Sequence, residues 1–183
     1  MYRLFVAVDM PEEVRNQLGD MFFGIPGAKW VPAEQLHLTL RFIGEVDGGV
    51  FRDVKDALST IKRPAFTMQL KGLGCFPPRK QPKVLWVGID KNEQLLQLRN
   101  RVEAELVRAG LPPEQRKFSP HVTLARLRDT PLSKLTNFLA GNGLYASIVF
   151  PVREFHLYSS QLTPKGAIHQ IEATYELETP SSD

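Results

Sequence analysis

Apolar residues along this chain fall into two kinds of run. Short continuous or alternating runs predict strands. These are Tyr2–Asp9, Phe66–Leu73 (Phe66, Met68 and Leu70 alternating with Thr67, Gln69 and Lys71), Val84–Ile89, and two long closing strands, Tyr145–Tyr158 and Ala167–Leu177, with Leu162–Gly166 as the bend between them. Runs with apolar residues three and four apart predict helices. The first opens at Pro11, with Glu12 and Glu13 in its first turn and Val14, Leu18, Met21 and Phe22 as its stripe, and it ends over Gly24–Gly27. The others are Val50–Ile61, Asn92–Ala109 (Leu95, Leu98, Val102 and Leu106, stopped by Gly110) and Pro131–Leu139. The segment Gly74–Lys83, with three prolines and three cations, reads as an exposed loop.

Two further strand-like runs share one phrase. His37-Leu38-Thr39-Leu40 lies in LHLTLRFIG, which Gly44 closes, and His121-Val122-Thr123-Leu124 lies in PHVTLARL. Residues two apart in a strand share a face. His37, Thr39 and Arg41 are therefore predicted to point one way and Leu36, Leu38 and Leu40 into the core, with His121 and Thr123 repeating the arrangement against Val122 and Leu124. A single histidine in a half-buried strand is most often structural, but a matched pair is different. Two imidazoles can divide general acid from general base, and two threonine hydroxyls can donate to an anion. Zinc takes three or four ligands and neither phrase supplies a third, so the pair reads as metal-free, cofactor-free acid–base chemistry. Strands alternating with helices around two similar strands predict a duplicated α+β fold. Its lobes interleave, so residues 1–183 form a single two-lobed domain with one H-x-T-L strand from each lobe.

Bulk properties change the picture only locally. The 183 residues are 43% hydrophobic and 23% charged, with net charge +3. No acid occurs from Ala57 to Ile89, where Lys62, Arg63, Lys71, Arg79, Lys80 and Lys83 fall, and no Lys or Arg follows Lys165. That asymmetry fits a polyanion held on one side or, equally, a solvated face. Cys75 is the only cysteine, which fits a reducing compartment. No run reaches the roughly 18 apolar residues of a membrane span, and the N-terminus lacks the pattern of a secretory signal. A cytoplasmic protein without membrane association is expected.

The two phrases sit in distinctive surroundings: RLFVAVDMPEE at the start, KWVPAEQLHLTLRFIGEV, GCFPPRKQPKVLWVGID, PPEQRKFSPHVTLARLR, and LYSSQLTPKGAIH near the end. Together they resemble the two-histidine phosphoesterase superfamily, and within it the LigT-like RNA 2′,3′-cyclic phosphodiesterases, also labelled 2′-5′ RNA ligases. The resemblance implies a bilobal, pseudo-twofold fold with two antiparallel sheets facing a central cleft. It implies metal-independent hydrolysis of RNA 2′,3′-cyclic phosphate ends, or nucleoside 2′,3′-cyclic phosphates, to 2′-phosphomonoesters; a monomer is expected. His121 would activate water, His37 would protonate the ribose O3′, and Thr39 and Thr123 would hold the non-bridging oxygens. Arg126 would contact phosphate, and Phe42 would stack on the terminal base. Two positions depart from the family pattern: Lys29 where Arg is usual, and His169 where Tyr is usual.

Phe42 and Arg126 each lie five residues after a motif histidine. An odd offset in a regular strand turns them away from it, so a bulge or strand end has to bring them back. His156 and His169 have no threonine partner and read as structural or surface residues. Two alternatives share the same residues: 2′-5′ RNA ligation by the reverse reaction, and a non-catalytic RNA- or nucleotide-binding module.

Overall fold

The computed structural model describes residues 1–78 and 80–179; Arg79, expected in the basic loop, lies outside the described residues. The strands are β1 (Tyr2–Asp9), β2 (Ala28–Trp30), β3 (His37–Val46), β4 (Phe66–Met68), β5 (Leu70–Phe76), β6 (Val84–Ile89), β7 (His121–Leu127), β8 (Phe150–Val152), β9 (Glu154–Thr163) and β10 (Gly166–Glu176). The helices are α1 (Glu12–Gly19), α2 (Gly48–Leu58), α3 (Glu93–Arg108) and α4 (Leu132–Gly141). Asp47 and Asn92 cap α2 and α3, each accepting from the backbone N–H three residues on at 2.9 Å.

Eight strands form one connected antiparallel sheet, in the order β10-β9-β1-β3-β7-β6-β5 with β2 also on β7. It is two halves, β10-β9-β1-β3 and β7 with β2, β6 and β5, joined at the single register pair Leu38–Val122. Among the described residues β3 and β7 share no further register pair. The halves interleave in sequence: β2 from the first part of the chain pairs with β7, and β9 from the last part pairs with β1. A separate pair, β4–β8, stands off the main sheet.

One face of the sheet is apolar. Leu4, Val6 and Val8 (β1), Leu38 and Leu40 (β3), Leu85 and Val87 (β6), and Val122 and Leu124 (β7) form one core with the helix stripes Val14–Leu18, Val54–Leu58, Leu95–Leu98–Val102–Leu106 and Leu135. Covering that face with helices leaves the residues of opposite parity on the other.

Several predicted boundaries shift. The run Phe66–Leu73 is two strands broken at Gln69, because Leu70 N–H turns to the hydroxyl of Ser147 instead of continuing beside β8. No strand spans Tyr145–Val149, and β9 begins only at Glu154. Strand β3 passes through Gly44, which takes φ 89° beside an irregularity in the pairing with β1. The first helix stops at Gly19, and Met21 and Phe22 pack on the core from the following turn.

Candidate active site

Leu38 and Val122 are fully buried against the helices, and each is the middle residue of its H-x-T phrase. In an antiparallel pair the residues either side of them oppose in turn. His37 therefore comes opposite Thr123, and Thr39 opposite His121, all four on the face away from the helices. The pseudo-twofold axis runs between Leu38 and Val122.

Both histidines are anchored identically. His37 Nδ1–H donates to the Gln35 carbonyl at 2.7 Å and His121 Nδ1–H to the Ser119 carbonyl at 2.8 Å. A carbonyl only accepts, so the proton at Nδ1 is fixed and Nε2 is the titrating nitrogen on each ring. Burial pushes His37 below the ordinary histidine value, with the Gln35 carbonyl and Asp9 opposing that push and His121 adding to it.

Both H-x-T strands then bulge at the same point. Opposite β1, Thr39 pairs with Ala7 and Arg41 with Val6, leaving Leu40 over. Opposite β6, Thr123 pairs with Trp86 and Ala125 with Leu85, leaving Leu124 over. The extra residue resets the alternation. Leu40 and Arg41 are both buried, as are Leu124 and Ala125, and Phe42 and Arg126 come out exposed on the histidine side, Phe42 at 62%. The odd offset of five is thereby reconciled with a shared face.

The bulge also overturns the expected position of Arg41. It turns to the helix side, where Arg41 Nε meets Glu103 of α3 at 2.7 Å and its two terminal nitrogens donate to the carbonyls of Phe42 and Pro112. Glu103 in turn accepts from Glu114 N–H at 3.0 Å. Arg41 thus fixes the segment that leads into β7 to the strand that carries His37.

The two histidines have different neighbours. His37 stacks on buried Phe5 (centroids 4.9 Å), which stacks on Tyr158 (5.1 Å). His121 meets Phe76 edge-on at 5.3 Å, with Trp86 behind at 6.4 Å. The Trp86 ring lies so close over Gly74 that a Cβ there would sit 2.2 Å from it. His169, expected to be structural or at the surface, meets His37 edge-on at 5.2 Å. Burial, then the nearby His37 and Arg3, push it down to about 4, so it is neutral at pH 7. His156 is structural as expected, buried and bound to Thr174 at 2.9 Å. Asp9, Phe5, Phe76 and Trp86 escaped the sequence reading; the available signal was an acid ending an otherwise apolar strand, MYRLFVAVD.

No group of three His, Cys, Asp or Glu side chains placed to hold a metal ion occurs among the described residues. Two imidazoles, two hydroxyls and one cation on the same face of the sheet suit an anionic ligand.

The chain is 34% identical over 177 residues to the RNA 2′,3′-cyclic phosphodiesterase of Thermotoga maritima, covering 92% of each chain. It is 37% identical over 161 residues to that of Aeropyrum pernix, covering 87% of this chain and 90% of the other. A crystal structure from Thermus thermophilus superposes with TM-score 0.79 at 30% identity, covering 95% of this chain and 97% of that one. Escherichia coli LigT complexed with 3′-AMP gives TM-score 0.75 at 28% identity, covering 96% and 98%. The LigT-like phosphoesterase model matches twice in succession, over residues 8–86 and 87–169. Each match contains one of the two H-x-T strands that meet at Leu38–Val122, and with that agreement of sequence, repeat and fold the chain belongs to the LigT-like phosphoesterase family.

Proposed function

We propose that this chain hydrolyses 2′,3′-cyclic phosphate ends of RNA, and nucleoside 2′,3′-cyclic phosphates, to 2′-phosphomonoesters. The observation that carries the reading is the placement of two Nε2 nitrogens and two threonine hydroxyls about one pseudo-twofold axis. The names of the relatives support the substrate class. Opening a cyclic phosphodiester by in-line attack needs a base on the nucleophile's side of phosphorus and an acid on the leaving oxygen's side, and two facing histidines supply both.

In this reading His121 Nε2 takes a proton from water as its oxygen bonds to phosphorus. The P–O3′ bond breaks, and O3′ takes the proton held on His37 Nε2. Thr39 and Thr123 donate to the non-bridging oxygens, and Arg126 offsets the charge that grows on them. Phe42 takes the terminal base by stacking. Residues 1–183 act as one two-lobed unit, because each half supplies one motif and neither has a complete site. The reading extends to a monomeric, cytoplasmic enzyme. No helix among the described residues is long and apolar enough to cross a membrane.

The test is incubation with adenosine 2′,3′-cyclic phosphate in EDTA, with 2′- and 3′-phosphate products resolved. Conversion to the 2′-phosphate alone supports the reading. Binding without turnover would leave the chain a nucleotide-binding module, and turnover lost to EDTA and restored by zinc or manganese would refute the metal-free mechanism.

A further inference from the structure

The two motif strands repeat so closely that their histidines are chemically equivalent until the flanking strands are compared. Along β1, Ala7 and Asp9 pair with Thr39 and His37. Along β6, Trp86 and Gly88 pair with Thr123 and His121. Asp9 and Gly88 are therefore counterparts under the pseudo-twofold axis. Cross-strand partners project to the same face of an antiparallel pair, so the partner of His37 is a carboxylate and the partner of His121 carries no side chain. The bare position is enforced: a Cβ on Gly88 would come within 3.0 Å of the Lys71 carbonyl and 3.4 Å of the Trp86 ring.

Asp9 is held in place by groups that the reaction does not otherwise use. Tyr158 O–H donates to Oδ1 at 2.5 Å, and His156 Nε2 lies 3.3 Å from Oδ2, with its other nitrogen tied to Thr174. Although burial by itself would raise the Asp9 carboxyl, these bonds, with the charge of His156 and His37, keep it below the usual carboxylate value, so it is ionised through the neutral range. The groups facing His37 are then Asp9 from β1, His121 from β7, Tyr158 and His156 from β9, and His169 from β10. Burial and Asp9 both raise the Tyr158 phenol, so it stays protonated, and His169 is neutral. Asp9 is the carboxylate paired with His37; a second, Glu154 of β9, lies 3.5 Å from His156 Nε2.

We propose that Asp9 is a positioning residue that breaks the equivalence of the two histidines, offsetting part of the cost of placing a proton on the buried ring of His37. Asp9 touches no reacting atom; it acts through His37. The inference rests on the hydrolase reading above and adds to it a carboxylate that supports protonated His37 as the donor.

The experiment joins histidine-ring NMR titration of the free protein to steady-state hydrolysis of adenosine 2′,3′-cyclic phosphate, on the parent and on Asp9→Asn, Asp9→Ser, Asp9→Glu and Tyr158→Phe. In the two neutral variants His37 should titrate about one pH unit lower, as expected on losing an adjacent opposite charge, while His121 stays where it was. At pH 7 kcat should fall about tenfold in step with the lost protonated fraction, with KM little changed, and Asp9→Glu should restore most of both. Tyr158→Phe keeps the carboxylate, so His37 should titrate no lower than in the parent. An unmoved His37 in the neutral variants, or an equal fall in Tyr158→Phe, overturns the inference and leaves hydrolysis untouched. A lowered His37 with kcat unchanged or raised means that His37 is not the proton donor, which overturns the inference and the assignment of roles together. Absence of turnover in the parent is the separate failure of the hydrolase reading.

Discussion

Leu38 and Val122 form the single register pair between the two halves of the sheet, and both side chains are fully buried. The whole candidate site is built outward from that contact. Because the pair is the centre of an antiparallel register, it sets each histidine across from the other strand's threonine.

Replacing either histidine should therefore disable one shared step. His37→Ala and His121→Ala should each slow hydrolysis by about 10²–10⁴-fold, and the double variant should lose far less than the product of the two. Single-turnover rates on adenosine 2′,3′-cyclic phosphate give the comparison; full multiplicativity would mean that the two rings serve different steps.

The pH dependence of kcat/KM should be bell-shaped, its limbs belonging to the coupled pair. Burial lowers His37, so its protonated form is scarce at high pH and accumulates as pH falls. The rate should thus rise from pH 8 toward 6, then fall once the second imidazole also takes a proton. A profile flat from pH 5 to 8 would count against histidine acid–base catalysis.

The bulged residues Leu40 and Leu124 carry Phe42 and Arg126 to the site side, and the two should fail differently. Stacking is worth roughly 1–3 kcal/mol per base and tolerates any base. Phe42→Ala should raise KM similarly for all four nucleoside 2′,3′-cyclic phosphates. Arg126→Ala should lower kcat, because the charge it offsets grows only during the reaction. A base-selective loss in Phe42→Ala, or a pure KM effect in Arg126→Ala, would contradict these roles.

Arg41 is buried, with its partner Glu103 nearly so, at 7% and 17% side-chain exposure. Removing one member of a buried pair strands the other, which costs about 3–5 kcal/mol. Arg41→Ala should lower the unfolding free energy by that order in urea titrations. Burial raises the Glu103 carboxyl, but Arg41 and the Glu114 N–H bring it below its usual value overall. This stabilisation is present above the ordinary carboxylate value and is lost as pH falls through the lower, folded-state value. Parent and variant should therefore converge in stability toward acid pH.

Lys80 and Lys83 lie in the exposed segment after Phe76. If that segment follows an RNA backbone, an oligonucleotide with a cyclic phosphate end should bind more tightly than the mononucleotide. The excess should fall with salt with a slope near −0.7 per phosphate contact. Lys80→Ala with Lys83→Ala should remove the excess and spare the mononucleotide; equal loss on both substrates would make the segment a solvated face.

Local pattern was enough to locate the motif strands, the helices α2 and α3 and the four H-x-T side chains. Each of these follows from alternation or helical spacing within a dozen residues, and the apolar partners Leu38, Val122, Leu95 and Val102 had only one face to bury. Arg41 was misplaced because a bulge is a property of two paired strands: Leu40 becomes an extra residue only against β1. His169 and Asp9 could not be joined to His37 from sequence, since β10 and β1 reach it through long-range pairing. The difference between the two histidines is likewise tertiary. The phrases around them are nearly the same, and only the neighbouring strand decides that one faces a carboxylate and the other a glycine.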